Sequence, residues 1–107
     1  MTIERERNMK KFVYLYFGGN PPKSAEEGKA VMQAWMSYFS RMGDKIADGG
    51  APIGPQKSVG NPPSVRIGGY SIVNAASLDE AVALTKGHPH IMSGGSIEVC
   101  ETMPVPM

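Results

Sequence analysis

GGYSIVNAASLDEAVALTKGHPHIMSGGSIEVCETM, from Gly68 to Met103, reads as strand, capped helix, strand. Tyr70 to Ala75 is short and apolar enough for a strand. Ser77 and Glu80 then form an S-x-x-E capping box, which satisfies two otherwise unpaired amides at a helix start. Leu78, Ala81, Val82 and Thr85 give the short helix its inner face, and Gly87 with Pro89 stops it. After Gly94-Gly95 comes a last strand, Ser96 to Met103, in which Ile97 and Val99 alternate with Glu98 and Cys100.

The preceding half has the same plan. Phe12-Val13-Tyr14-Leu15-Tyr16-Phe17 is an aromatic and β-branched run ended by Gly18-Gly19. Both faces of this strand are apolar, so each needs a cover. Ser24 and Glu27 make a second capping box. Val31, Trp35, Tyr38, Phe39 and Met42 follow at helical spacing and define a buried stripe. Gly43 can end that helix, or Asp44 to Ala47 can carry it on to Asp48-Gly49-Gly50. Ala51 to Ser64 holds four prolines and two glycines, which leaves room only for a short or edge strand near Ile53 or Val59. Strand–helix–strand twice, with too few helices to sandwich a sheet, implies an α+β fold of the ferredoxin-like βαββαβ kind. Right-handed crossovers put both helices on one face of the antiparallel sheet. The bare, apolar second face then predicts a homodimer.

Length and composition set the limits. A chain of 107 residues forms one domain, here 10–107 after a flexible extension, 1–9. With a net charge of +1 and cations scattered from Arg5 to Lys86, no basic stripe points to nucleic acid. No apolar run approaches the roughly 20 residues that cross a bilayer, and TIERERN lacks the apolar core of a secretion signal. One cysteine, Cys100, cannot form an intrachain disulfide and fits a cytoplasmic protein. Neither a phosphate-binding glycine loop nor a G-x-S-x-G elbow occurs.

KKFVYLYFGG, the Asp48 to Pro55 segment DGGAPIGP, GGYSIVNAASLDEAVALTKG and GGSIEV together resemble the YCII-related family, closest to its DGPF-type branch. The likeness runs from about Lys10 to Met103 and implies the dimeric α/β barrel superfamily, with ferredoxin-like protomers paired sheet against sheet. Members nearer the family's namesake carry a proposed His–Asp pair with its histidine near the first helix. Here Ser24 to Met42 contains no histidine, and NPPSVRIGGY stands where the DGPF motif would be.

Candidate chemistry centres on His88-Pro89-His90, the only histidines of the chain. Imidazole moves protons near neutral pH and ligates metals. A solvated helix-exit loop is the ordinary alternative, and two ligands with no further His or Cys cluster are too few for a metal site. His90, after Pro89, can turn back toward the sheet and is the candidate catalytic base. His88 is expected nearer solvent, where its replacement would be mild. Asp44 is a candidate assistant, although a carboxylate beside glycines is usually a turn residue. Tyr14, Tyr16, Trp35, Tyr38 and Tyr70, with His88, are candidates to line a pocket between the first helix and the sheet; packing is the plainer use of such aromatics. The reading is a homodimeric small-molecule-binding protein, extending to a cofactor-free enzyme of proton-transfer, isomerase or lyase type. The competing class is a non-catalytic binding or regulatory module, since DGPF-type members are often encoded beside alternative sigma factors.

Overall fold

The computed structural model describes residues 9–105; apart from Met9, the expected N-terminal extension lies outside them. Strand β1 covers Lys10–Gly18, helix α1 Ala25–Met42, β2 Ile46–Pro52, β3 Gly69–Ala75, α2 Leu78–Ala83, α3 Pro89–Met92 and β4 Gly95–Glu101. The strands form one antiparallel sheet in the order β2-β3-β1-β4 with the helices on one side, the ferredoxin-like arrangement.

Both capping boxes place their helices. The Ser24 hydroxyl accepts from the Glu27 amide and the Ser77 hydroxyl from the Glu80 amide, each at 3.1 Å. Glu80 closes the second box on the Ala76 amide. From α1, Tyr38 and Met42 are buried and Trp35 and Phe39 pack partly against them. They meet Phe12, Tyr14 and Tyr16 of β1 and Val73 and Ala75 of β3, with Ile97 and Val99 of β4 at the margin. Each fully buried large apolar side chain of this kind stabilises the fold by roughly 1.5–3 kcal/mol.

Of the two ends offered for the first helix the earlier is observed, and three other local expectations are overturned. The helix does not run on past Met42. Gly43 takes φ 57° and a single 3-10 turn, Gly43–Lys45, leads into β2. The second strand is therefore Ile46–Pro52, ahead of Ile53 and Val59. Its register against β3 shifts twice, between Ile46 and Asp48 and between Asp48 and Ala51, which erases the alternation that marks a strand in sequence. In α2, Ala81 turns inward with Leu84 just beyond the helix, while Leu78 and Val82 stay about half exposed. Finally, Pro89 starts a further short helix, a position suited to a residue with no amide hydrogen to pair.

The other sheet face carries Val13, Leu15 and Phe17 of β1 beside Tyr70 and Ile72 of β3 and Cys100 of β4, all partly exposed and without a helix over them. In the bulged strand, Gly50 has φ 74°, and a Cβ there would collide with the Tyr70 carbonyl oxygen. Gly50→Ala should thus lower stability by at least about 2 kcal/mol in urea denaturation. Gly54→Ala, where a Cβ meets nothing within 4 Å, should stay within about 0.5 kcal/mol of the wild type. Equal effects at the two positions would contradict this account of β2.

Candidate active site

Gly87, at φ 73°, reverses the chain after α2 and sends His88 inward. The expectation of a solvated His88 is wrong: its ring is fully buried. It lies 4.4 Å from the Tyr38 ring, 4.9 Å from Trp35, 5.2 Å from Tyr16 and 6.1 Å from Tyr14, centroid to centroid. The space read from sequence as a pocket between α1 and the sheet is here filled by these rings. Tyr70 does not join them. Its place in β3, opposite Leu15, puts it on the bare face of the sheet.

The hydrogen bonds of His88 define its protonation. The backbone N–H of His90 donates to Nδ1 at 3.0 Å, so Nδ1 holds a lone pair. The hydrogen of the neutral ring is then on Nε2, which donates to the Tyr16 hydroxyl at 3.1 Å. Tyr16 donates onward to the Ser71 hydroxyl at 2.7 Å, and Ser71 to the Gly49 carbonyl at 2.8 Å. Among the described residues, His88 and Ser71 are the two buried polar side chains outside the tyrosines, and one chain of hydrogen bonds satisfies both. Its direction is unique, because it starts at a backbone donor and ends at an acceptor that has no hydrogen to pass. Burial, with His90 and Arg41 nearby, pulls the His88 pKa down to about 4. Burial pushes the Tyr16 hydroxyl up to about 12 and also raises Tyr14 and Tyr38, whose hydroxyls donate to the Ala81 and Leu84 carbonyls.

His90 does turn back to the sheet. Its Nε2 lies 2.9 Å from the Phe17 carbonyl oxygen, and since a carbonyl only accepts, Nε2 carries the hydrogen. In the neutral ring Nδ1 then holds a lone pair, and it makes no hydrogen bond among the described residues. The ring is partly exposed, 5.2 Å from Tyr16, and backed by glycines. A Cβ on Gly95 would collide with His90 Nε2, and one on Gly19 would come within 3.0 Å of Cε1. The glycine pairs of the sequence thus make room for this imidazole. Asp44 is not brought to either histidine. It is exposed on the 3-10 turn, where its backbone carbonyl accepts from Asn74. Among the described residues no cluster of three or more His, Cys, Asp or Glu side chains could hold a metal ion, and no helix is long and apolar enough to cross a membrane.

Antiparallel pairing brings three connections to the His90 end of the sheet: those after Gly18, before Gly69 and before Gly95. The YCII-related domain matches residues 12–105, which takes in all but the first two residues of β1 and every later strand and helix. The chain belongs to the YCII-related family. No curated protein matches the sequence. Among solved structures it is similar to 5-chloro-2-hydroxyhydroquinone dehydrochlorinase (TftG) from Burkholderia phenoliruptrix AC1100, in complex with 2,5-dihydroxybenzoquinone. That likeness has 21% identity and a TM-score of 0.47 over 80% of this chain and 90% of that one.

In this YCII-related protein the histidine positions are visible in sequence, but the roles of Tyr16 and Ser71 as partners of His88 are not. Ser71 alternates with Tyr70 and Ile72 in β3, which marks its face but not its partner.

A buried neutral histidine makes stability depend on pH. Unfolded, the ring titrates near 6.5; folded, near 4, so the unfolded chain takes up the proton first. The His88 contribution is therefore fully present above about pH 6.5 and is lost as pH falls toward 4, about 3 kcal/mol across the window. Urea midpoints followed over that range should fall more steeply for the wild type than for His88→Asn. Parallel curves would contradict the assignment.

Proposed function

We propose that the protein is a homodimeric small-molecule-binding enzyme that transfers a proton on its ligand without a cofactor, with Nδ1 of His90 as the base. The observation that carries this reading is the state of the His90 ring. Its Nε2–H is committed to the Phe17 carbonyl, which in the neutral ring leaves the Nδ1 lone pair beside Gly19, without a partner among the described residues, at the loop-rich end of the sheet. That is the tautomer and exposure a general base needs: a nitrogen free to accept, in a ring whose orientation is fixed by its other nitrogen. His88 cannot take this part, because its Nδ1 is occupied and its pKa lies far below neutrality.

Two features support the pairing of protomers. Val13, Leu15, Phe17, Tyr70 and Ile72 make the helix-free face apolar, and α1, α2 and α3 all lie on the other. A second copy presenting the same face would bury these side chains symmetrically. Light scattering at micromolar concentration should give about twice the 11.5 kDa chain mass. A monomer at that concentration would count against the pairing.

Proton transfer can be tested before the substrate is identified. A panel of carbonyl-containing metabolites in heavy water should show enzyme-dependent deuterium uptake next to the carbonyl in at least one member. His90→Asn should slow that uptake by about 10² to 10⁴-fold, the usual worth of a general base. Gly95→Ala should act in the same direction by displacing the ring from Phe17. Full activity in His90→Asn would refute the role of His90.

A further inference from the structure

We propose that His88 is a positioning residue for His90, holding it from two sides: directly, through the His90 backbone N–H, and indirectly, through the Tyr16 ring against which the His90 imidazole rests. The first contact is the 3.0 Å hydrogen bond into Nδ1 of His88, which caps the helix that begins at Pro89. It closes the turn at the residue whose side chain must reach Phe17. The second contact starts at Nε2 of His88, which with Ser71 grips the Tyr16 hydroxyl between them. The ring so fixed lies 5.2 Å from both imidazoles.

An ordinary helix cap would supply only the first contact, and Ser or Asn does that without burying an imidazole. An ordinary core residue would supply neither. Histidine has two nitrogens on opposite sides of a rigid ring, so it ties the turn before α3 to the middle of β1 in one piece. The chain of hydrogen bonds beyond it is no path for protons, since it ends at the Gly49 carbonyl. What it transmits is position. Displacements of about 1 Å in a catalytic group can cost about a hundredfold in rate, so such a clamp matters for a base whose ring makes a single hydrogen bond among the described residues.

The inference rests on the proposed base only in its kinetic consequence, and the experiment separates the two. Nitrogen-15 NMR of the histidine rings should show wild-type His90 as a single tautomer protonated at Nε2. In His88→Ala, checked for folding by circular dichroism, the Nδ1-protonated tautomer should become populated. His88→Asn, whose side-chain oxygen can still accept the His90 N–H but which has no group to reach Tyr16, should restore the wild-type spectrum in part. In the deuterium-uptake assay, His88→Ala should lower kcat per folded molecule at least tenfold with KM changed less than threefold, and His88→Asn should recover part of that loss. If His88→Ala does not fold, Tyr16→Phe, lacking one buried oxygen, should shift the His90 tautomer in the same direction. An unchanged His90 spectrum in every folded variant, or no recovery in His88→Asn, would overturn the proposal. Absence of any uptake by the wild type would refute the proton-transfer reading and leave the tautomer measurement to decide the positioning role.

Discussion

His88 is buried among aromatic rings and remains neutral because both of its nitrogens are engaged in fixed directions. An unpaired imidazole in that place would be strongly destabilising, since a buried polar group without a partner loses its hydration with nothing in return. The surrounding structure follows from this requirement. Tyr16 must present its hydroxyl to Nε2, Ser71 must stand beside Tyr16, and the bulged edge strand must bring the Gly49 carbonyl to Ser71. Three strands and the turn before α3 are thus tied through one line of donors and acceptors. The aromatic packing around the ring then keeps water out, which is also what drives its pKa down.

Much of the fold is legible because local chemistry and tertiary structure agree. Ser24 and Ser77 mark helix starts with the residues a start needs. The alternation of β3 and β4, and the 3.6-residue stripe of α1, survive in the burial of each side chain. Legibility fails where one residue serves a distant partner. The segment from Ile46 to Pro52 carries two register shifts, so no simple period runs through Asp48-Gly49-Gly50, and in sequence the strand resembles a helix end. His88 follows a helix and precedes a proline, as a solvated histidine would. Its burial depends on the reversal at Gly87 and on rings from α1 and β1 more than seventy positions away at the farthest, none of which leaves a local sign. Tyr70 groups with the other tyrosines by type, whereas the pleat assigns it to the opposite face.

The two sheet faces divide the labour. The helix-covered face supplies the packed, dry interior that fixes His88 and Tyr16; the other is apolar and open, the surface proposed to pair protomers. His90 belongs to neither. It stands at the end of the sheet where β1 stops and β4 starts, in a gap kept by Gly19 and Gly95. That location ties a partly exposed ring to the packed interior through its neighbour two positions back. A side chain in a four-residue helix is thereby held as firmly as one on a strand, which is what a base needs.

The orientation of this hydrogen-bond chain is the central claim, and neutron diffraction from a deuterium-exchanged crystal near neutral pH tests it most directly. Deuterium should appear on Nε2 of His88 and not on Nδ1, with the Tyr16 deuteron pointing to Ser71 and the Ser71 deuteron to Gly49. Deuterium on Nδ1 of His88, or a Tyr16 deuteron directed at the histidine, would contradict the account.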